Sequence, residues 1–199
     1  YLNFLQKNGL EHNIMAEEGK KNVLSWTGER YVPHLKGNIQ LEHLHRYALT
    51  REYVKNKVVL DIACGEGYGS AMLSDFAAQV FGVDISEEAI AHAQNKYHKN
   101  NLQFKVGSCS DIPSSDHSID CIISFETIEH HDQHEAMMNE VKRVLKPDGL
   151  LIISSPDKYT YSDLPGHNNP YHKKELYHDE FERLLEPSFK HVAMYGQRV

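Results

Sequence analysis

The sequence has no apolar run approaching the roughly 20 residues that cross a bilayer as a helix, and no basic, apolar, small-residue leader at its start. Lys and Arg never cluster beyond two in a row, and the formal charge is −7. A surface of that sign is a poor partner for a long phosphate backbone, so nucleic acid is disfavoured as a substrate. Only three cysteines occur, Cys64, Cys109 and Cys121. An odd number, on or beside predicted strands, argues against a disulfide frame and for reduced thiols in a cytoplasm. Tryptophan is found once, at Trp26, and there are no repeats or low-complexity segments. Methionine is missing from the first position, where Tyr1 stands, so the sequence is read as part of a larger, multidomain protein.

What is present fits one globular domain: 199 residues, 40% hydrophobic and 25% charged. Histidine is abundant, with 14 copies. Residues 1–38 have little periodicity and read as an N-terminal arm, leaving 39–199 as the folded domain. The chain is organised around Val58-Val59-Leu60-Asp61-Ile62-Ala63-Cys64-Gly65-Glu66-Gly67-Tyr68-Gly69. An apolar, β-branched run breaks into three alternating glycines, and a helix-compatible segment follows. That is the first βα unit of a nucleotide-binding α/β domain. Nineteen residues after Gly65, Asp84 ends the next apolar run, where a carboxylate accepts hydrogen bonds from ribose hydroxyls. A dinucleotide fingerprint requires glycine at position 70, where this chain has Ser70, which opposes a dinucleotide-dependent oxidoreductase.

Periodicity predicts a helix over 39–56 with Leu41, Leu44 and Ala48 inward, and then regular alternation. Strands are expected at 57–62, 79–83, 102–106, 121–124 and 150–154, and helices at 68–77, 86–99 and 133–146. Pro147-Asp148-Gly149 is read as the turn ending the last of these helices. A loop over 156–171, a helix over 173–186 and a final strand over 189–196 complete the reading. Strands alternating with helices imply a doubly wound, mostly parallel Rossmann-like sheet.

The pattern G-x-G-x-G preceded by Asp61 resembles motif I of the class I S-adenosylmethionine (SAM)-dependent methyltransferases. The resemblance extends over about 28–196 and includes the Lys142–Gly149 segment. It implies SAM as cofactor, with Asp61, Ala63, Gly65, Gly67, Asp84, Ile85 and Phe125 around it. Asp111 and the backbone of Ile112, within Gly107–Pro113, are implied to meet the adenine. The helix before the first strand is implied to form a lid, with Arg30, Tyr31 and Arg46 closing the pocket. Arg46 is equally placed to pair with Glu42 one helical turn earlier. If the methyl acceptor is a hydroxyl, a base is needed, and His130 and His172 are the candidates. Glu126-x-x-Glu129-His130 is similar to ubiquinone-pathway O-methyltransferases and to small-RNA 2′-O-methyltransferases, in which two Glu and two His hold a divalent ion. No metal site is assigned here, although Glu126, Glu129 and His130 have the chemistry to bind one, with a second histidine from His167 or His172. Gly28–Pro33, Leu41–Tyr47, Ser154–Lys158 and Asn169–His172 resemble methyltransferases of bacterial surface-polysaccharide biosynthesis, which implies a sugar, nucleotide sugar or glycan acceptor. A quinone precursor or other small aromatic acceptor, or a SAM-binding module without catalysis, are the rival readings. The family sheet has seven strands, and this sequence supplies one strand too few.

Overall fold

A computed structural model describes residues 38–197. Five strands form one parallel sheet in the order β3-β2-β1-β4-β5. They are β1 (Val58–Ile62), β2 (Gln79–Asp84), β3 (Leu102–Val106), β4 (Ile119–Phe125) and β5 (Leu145–Ser154). Helices α1 (Asn38–Leu49) and α2 (Arg51–Val54) precede the sheet. Between strands run α3 (Tyr68–Leu73), α4 (Glu87–Lys96) and α5 (His134–Val144), and α6 (His178–Leu185) follows β5. The strand order reverses at β1, so the crevice between the carboxyl ends of β1 and β4 is the expected ligand position in such a sheet.

Burial alternates along the strands and fills both faces. Leu60, Ile62 and Ile122 join the core under α5 and α6. Val59, Cys121 and Ile123 join the core that includes Tyr47, Ala71, Leu73 and Ala93. A parallel sheet covered on both sides explains the short, near-continuous apolar runs of β1 and β4. The expected doubly wound architecture is the one observed.

Four expectations need correction. The predicted helix over 39–56 divides at Thr50, whose hydroxyl donates to the Tyr47 carbonyl at 2.8 Å; such side-chain bonds compete with the helical ladder. Its inward face is also not the apolar one: Tyr47 and Thr50 are buried, while Leu41 is 56% exposed. The segment Pro147-Asp148-Gly149 is an irregularity inside β5, between the pairs Ile119↔Leu145 and Cys121↔Leu150. The helix predicted from 173 starts at His178, because the Lys173 and Lys174 amides both donate to the Glu129 carbonyl instead. Among the described residues, 189–196 pairs with no strand; Phe189, Val192 and Met194 pack against the core without a ladder partner.

Candidate functional site

The turn after β1 runs through Ala63 (φ 56°), Gly65 (φ 55°) and Gly67 (φ 91°), all left-handed. Glu126, just past β4, also has a positive φ of 49°. Ala63 and Glu126 are not glycines, so each stores strain of about 1–3 kcal/mol, of the kind found at ligand clamps. They stand at the ends of adjacent strands, one on each side of the crevice. Gly67 admits no side chain, since a Cβ there would lie 2.8 Å from the Ala93 Cβ. Between the glycines, Glu66 turns inward and is fully buried. It accepts from Tyr97 (2.7 Å) and Lys96 (2.5 Å) and contacts His92 Nε2 (2.9 Å), which pins the turn to α4.

Two carboxyls frame this turn. Asp84 Oδ2 accepts from the Gly65 amide at 2.8 Å, and its Oδ1 accepts from the Ser86 amide at 2.9 Å. Each oxygen keeps a further lone pair, so these bonds orient the carboxylate and still leave it an acceptor for ribose hydroxyls. The next residue, Ile85, is 76% exposed at the crevice edge, where an apolar side chain suits an aromatic base. Asp61 lies behind the turn with no exposure. Its Oδ2 accepts from Ser70 Oγ at 2.6 Å and its Oδ1 from the Tyr47 hydroxyl at 3.1 Å. Burial is the main cause that raises its pKa from 3.8 to about 7, against those two hydrogen bonds.

Helix α1 covers the turn. Gly69 makes room for it, because a Cβ there would fall 2.0 Å from the Tyr47 ring. That ring also packs edge-on against Tyr68 and Phe125, the latter at 5.1 Å. His43 Nδ1 lies 3.0 Å from the Tyr68 hydroxyl. Burial, with Arg46 nearby, lowers the His43 pKa to about 4, so its ring is neutral at physiological pH. Arg46 reaches across the crevice: its Nη2 stands 3.5 Å from Glu126 Oε2. Its Nη1 is buried with no hydrogen-bond partner among the described residues. A buried guanidinium nitrogen without a partner fits a two-pronged anion such as the methionine carboxylate. Arg30 and Tyr31 lie outside the described residues.

The turn after β3 departs from expectation. Asp111 is exposed, and the Ile112 amide is not available to an adenine nitrogen because it donates to Glu140 Oε2 at 2.8 Å. The Ile112 side chain is part of the core. Arg143 grips Glu140 with two bonds of 2.7 Å and donates to the Ser114 and Ile112 carbonyls, so this loop is tied down to α5. Just past β3 the Gly107 amide donates to the Asp84 carbonyl at the end of β2, and Ser108 and Cys109 follow it directly. Cys109 Sγ is 3.4 Å from His131 Nε2, which joins the β3 and β4 loops.

The chain beyond β4 forms the other wall. A short 3₁₀ turn, Ile128–His130, follows Phe125. His134 holds it, with Nε2 2.9 Å from the Ile128 carbonyl. Glu126 is diverted from any metal set, since its Oε1 accepts from Ser154 Oγ at 2.5 Å and its other oxygen faces Arg46. Glu129, His130 and His172 do come together, with one ligand atom from each within 4.8 Å of the others. The His130 and His172 rings meet edge-on at 5.1 Å, and Tyr161 stacks on His172 at 5.2 Å. His172 Nδ1 is 2.6 Å from Glu175 Oε1. His167 meets Tyr161 rather than this cluster.

Sequence reasoning missed Tyr47, Glu66, Ser154 and Glu175. Glu66 was traceable, because His92 and Lys96 form an i, i+4 stripe of donors on α4. Tyr47 and Ser154 depend on contacts with Asp61 and Glu126, 14 and 28 residues away, and leave no local pattern, whereas Glu175 stands only three residues after His172.

A family described as a methyltransferase domain matches residues 60–153. The chain is 35% identical over 189 residues to a Mycobacterium tuberculosis protein named "Probable S-adenosylmethionine-dependent methyltransferase". That likeness covers 91% of this chain and 67% of the relative. A Mycolicibacterium smegmatis fatty-acid O-methyltransferase is 26% identical over 122 residues, covering 57% of this chain and 44% of that one. The fold is similar to that of a SAM-dependent methyltransferase from Aquifex aeolicus, with a TM-score of 0.63 at 24% identity, covering 76% of this chain and 82% of that one.

Proposed function

We propose, from the premise that the chain belongs to the SAM-dependent methyltransferases, that it methylates a hydroxyl of a sugar, nucleotide sugar or glycan. SAM supplies a methyl group on a sulfonium, which the acceptor oxygen displaces in line, leaving S-adenosylhomocysteine and a proton to be removed. The chain's own task is therefore positioning. Gly65 and Gly67 bring backbone close to the cofactor, Asp84 takes the ribose, and Ile85 lies against the base. Ser108 and Cys109, rather than Asp111 and Ile112, border the adenine edge. Arg46 takes the carboxylate, while Tyr47 and Phe125 close over the turn. On the far wall Glu129, His130 and His172 meet the acceptor oxygen and its proton.

The observation that supports a sugar acceptor is the make-up of that far wall. It combines carboxyl, imidazole and tyrosine groups, with Tyr161 stacked on His172 and Asn169 donating to the Tyr161 hydroxyl at 3.3 Å. Hydroxyl-rich ligands use such mixtures of polar groups and aromatic faces. A second reading, an acyl or lipid acceptor, has support from the exposed Tyr159 and Leu164 next to it and from the name of the fatty-acid relative. An acceptor panel with methyl-labelled SAM tests the choice. Label should enter nucleotide sugars or glycan fragments. Label entering only fatty acids or small aromatics would reject the sugar reading.

A further inference from the structure

We infer that Glu126 is a positioning residue for the cofactor: it aims the Arg46 guanidinium, and with it the inner face of α1, before SAM enters the crevice. The inference rests on the reading of Arg46 as the partner of the methionine carboxylate. The inner face of α1 carries His43, Arg46 and Tyr47, at i, i+3 and i+4, so all three point the same way. His43 Nδ1 meets the Tyr68 hydroxyl of α3, and the Tyr47 hydroxyl donates to Asp61 of β1. Arg46 lies between them and reaches the chain just past β4, where its Nη2 is 3.5 Å from Glu126 Oε2. Glu126 thus ties α1 to the opposite side of the crevice.

The local geometry of Glu126 suits this task. Its backbone is left-handed at φ 49°, a conformation that a residue other than glycine keeps only where its surroundings impose it. Ser154, at the end of the neighbouring strand β5, holds it there. The Glu126 amide is shared between the Ser154 carbonyl at 3.3 Å and the Ser154 Oγ at 3.2 Å, and that Oγ donates to Glu126 Oε1 at 2.5 Å. With Oε1 occupied, the carboxylate is fixed and Oε2 is turned to Arg46. The contact of 3.5 Å is longer than the roughly 2.7–2.9 Å of a charge-assisted hydrogen bond. Glu126 therefore steers the guanidinium by charge without using up its donors. Arg46 Nη1 is buried and has no hydrogen-bond partner among the described residues. A buried donor left in that state is costly, and an entering carboxylate relieves the cost. Arginine is also among the side chains that lose most freedom when held in place. Fixing it beforehand removes that ordering from the binding step, which is the advantage of preorganisation.

The test is calorimetric titration of SAM, and separately of methylthioadenosine, into wild type, Glu126→Gln, Arg46→Met and the double variant. Methylthioadenosine keeps the nucleoside and the sulfur but lacks the amino-acid end, so it reports folding and the ribose side independently. Glu126→Gln preserves the size of the side chain and an acceptor for Ser154, and removes the charge that faces Arg46. It should weaken SAM about tenfold and leave methylthioadenosine unchanged. Arg46→Met should weaken SAM further. The double variant should bind SAM no more weakly than Arg46→Met alone, because two residues that act through one group are not additive. Ser154→Ala should weaken SAM less than Glu126→Gln does, with methylthioadenosine again unchanged. Equal losses of both ligands in Glu126→Gln would reduce Glu126 to a support of the loop. Additive losses in the double variant would mean that it acts independently of Arg46. Either result, or full SAM affinity in Glu126→Gln, would overturn the positioning role. Full SAM affinity in Arg46→Met would instead overturn the carboxylate reading, and the positioning role with it.

Discussion

Asp61 is a carboxyl held out of reach of water, and its pKa of about 7 gives stability a definite pH dependence. In the unfolded chain it ionises near 3.8. As pH falls from 7 towards 4, the folded protein takes up a proton that the unfolded chain does not, so this residue favours folding more at acid pH and costs stability above pH 7. His43 acts in the opposite direction. Its folded pKa of about 4 lies below its ordinary 6.5, so between those values the unfolded chain binds a proton that the folded one refuses, and acid destabilises. The two effects oppose each other in one window. Asp61→Asn removes the first and leaves the second. The variant should melt higher than wild type at pH 8, and its melting temperature should drop more steeply between pH 6.5 and 4.5. A parallel drop in both proteins, measured by circular dichroism, would show that Asp61 ionises normally.

Among the elements, α1 connects sequence, fold and cofactor site most directly. Its polar residues face inward because Asp61 and Glu126 need partners, and so its apolar residues Leu41 and Leu49 are left outside. Hydrophobic periodicity read this helix in the wrong phase. The same reading placed all five strands, and Ser86 caps α4, its hydroxyl accepting from the Ala89 amide. Local pattern reveals what local burial determines, and it fails where a functional face overrides burial. The glycine turn and Asp84 were legible because backbone approach and ribose contact require particular residue types at fixed spacing. The partners of Ile112 and Glu126 were not, since Glu140 and Ser154 are 28 residues away from each. Gly69→Ala tests the docking of α1. With a Cβ placed inside the Tyr47 ring, the helix must shift and the Tyr47–Asp61 bond must break. The expected cost is about 1–3 kcal/mol of stability by denaturant unfolding, with weakened SAM binding. Unchanged values for both would mean that α1 does not close the site.

Across the whole molecule, every group assigned to the reaction lies along the carboxyl ends of β1, β2, β3 and β4, or on a segment tied to them. Most of the cofactor side is built from adjacent parts of the sequence, 61–85 with α1 over it, joined by Ser108 and Cys109 after β3 and by Phe125 at the end of β4. The acceptor side joins the 3₁₀ turn after β4 to a strap more than 40 residues later, and the two are held by backbone bonds to Glu129. This division explains why the cofactor could be read from the sequence and the acceptor could not. The central claim is that the crevice between β1 and β4 holds SAM by way of Asp84. Calorimetric titration of SAM into wild type and Asp84→Ala tests it most directly. One-to-one binding by wild type and at least a hundredfold weaker binding by the variant is the predicted result; equal affinity in the two proteins would contradict it.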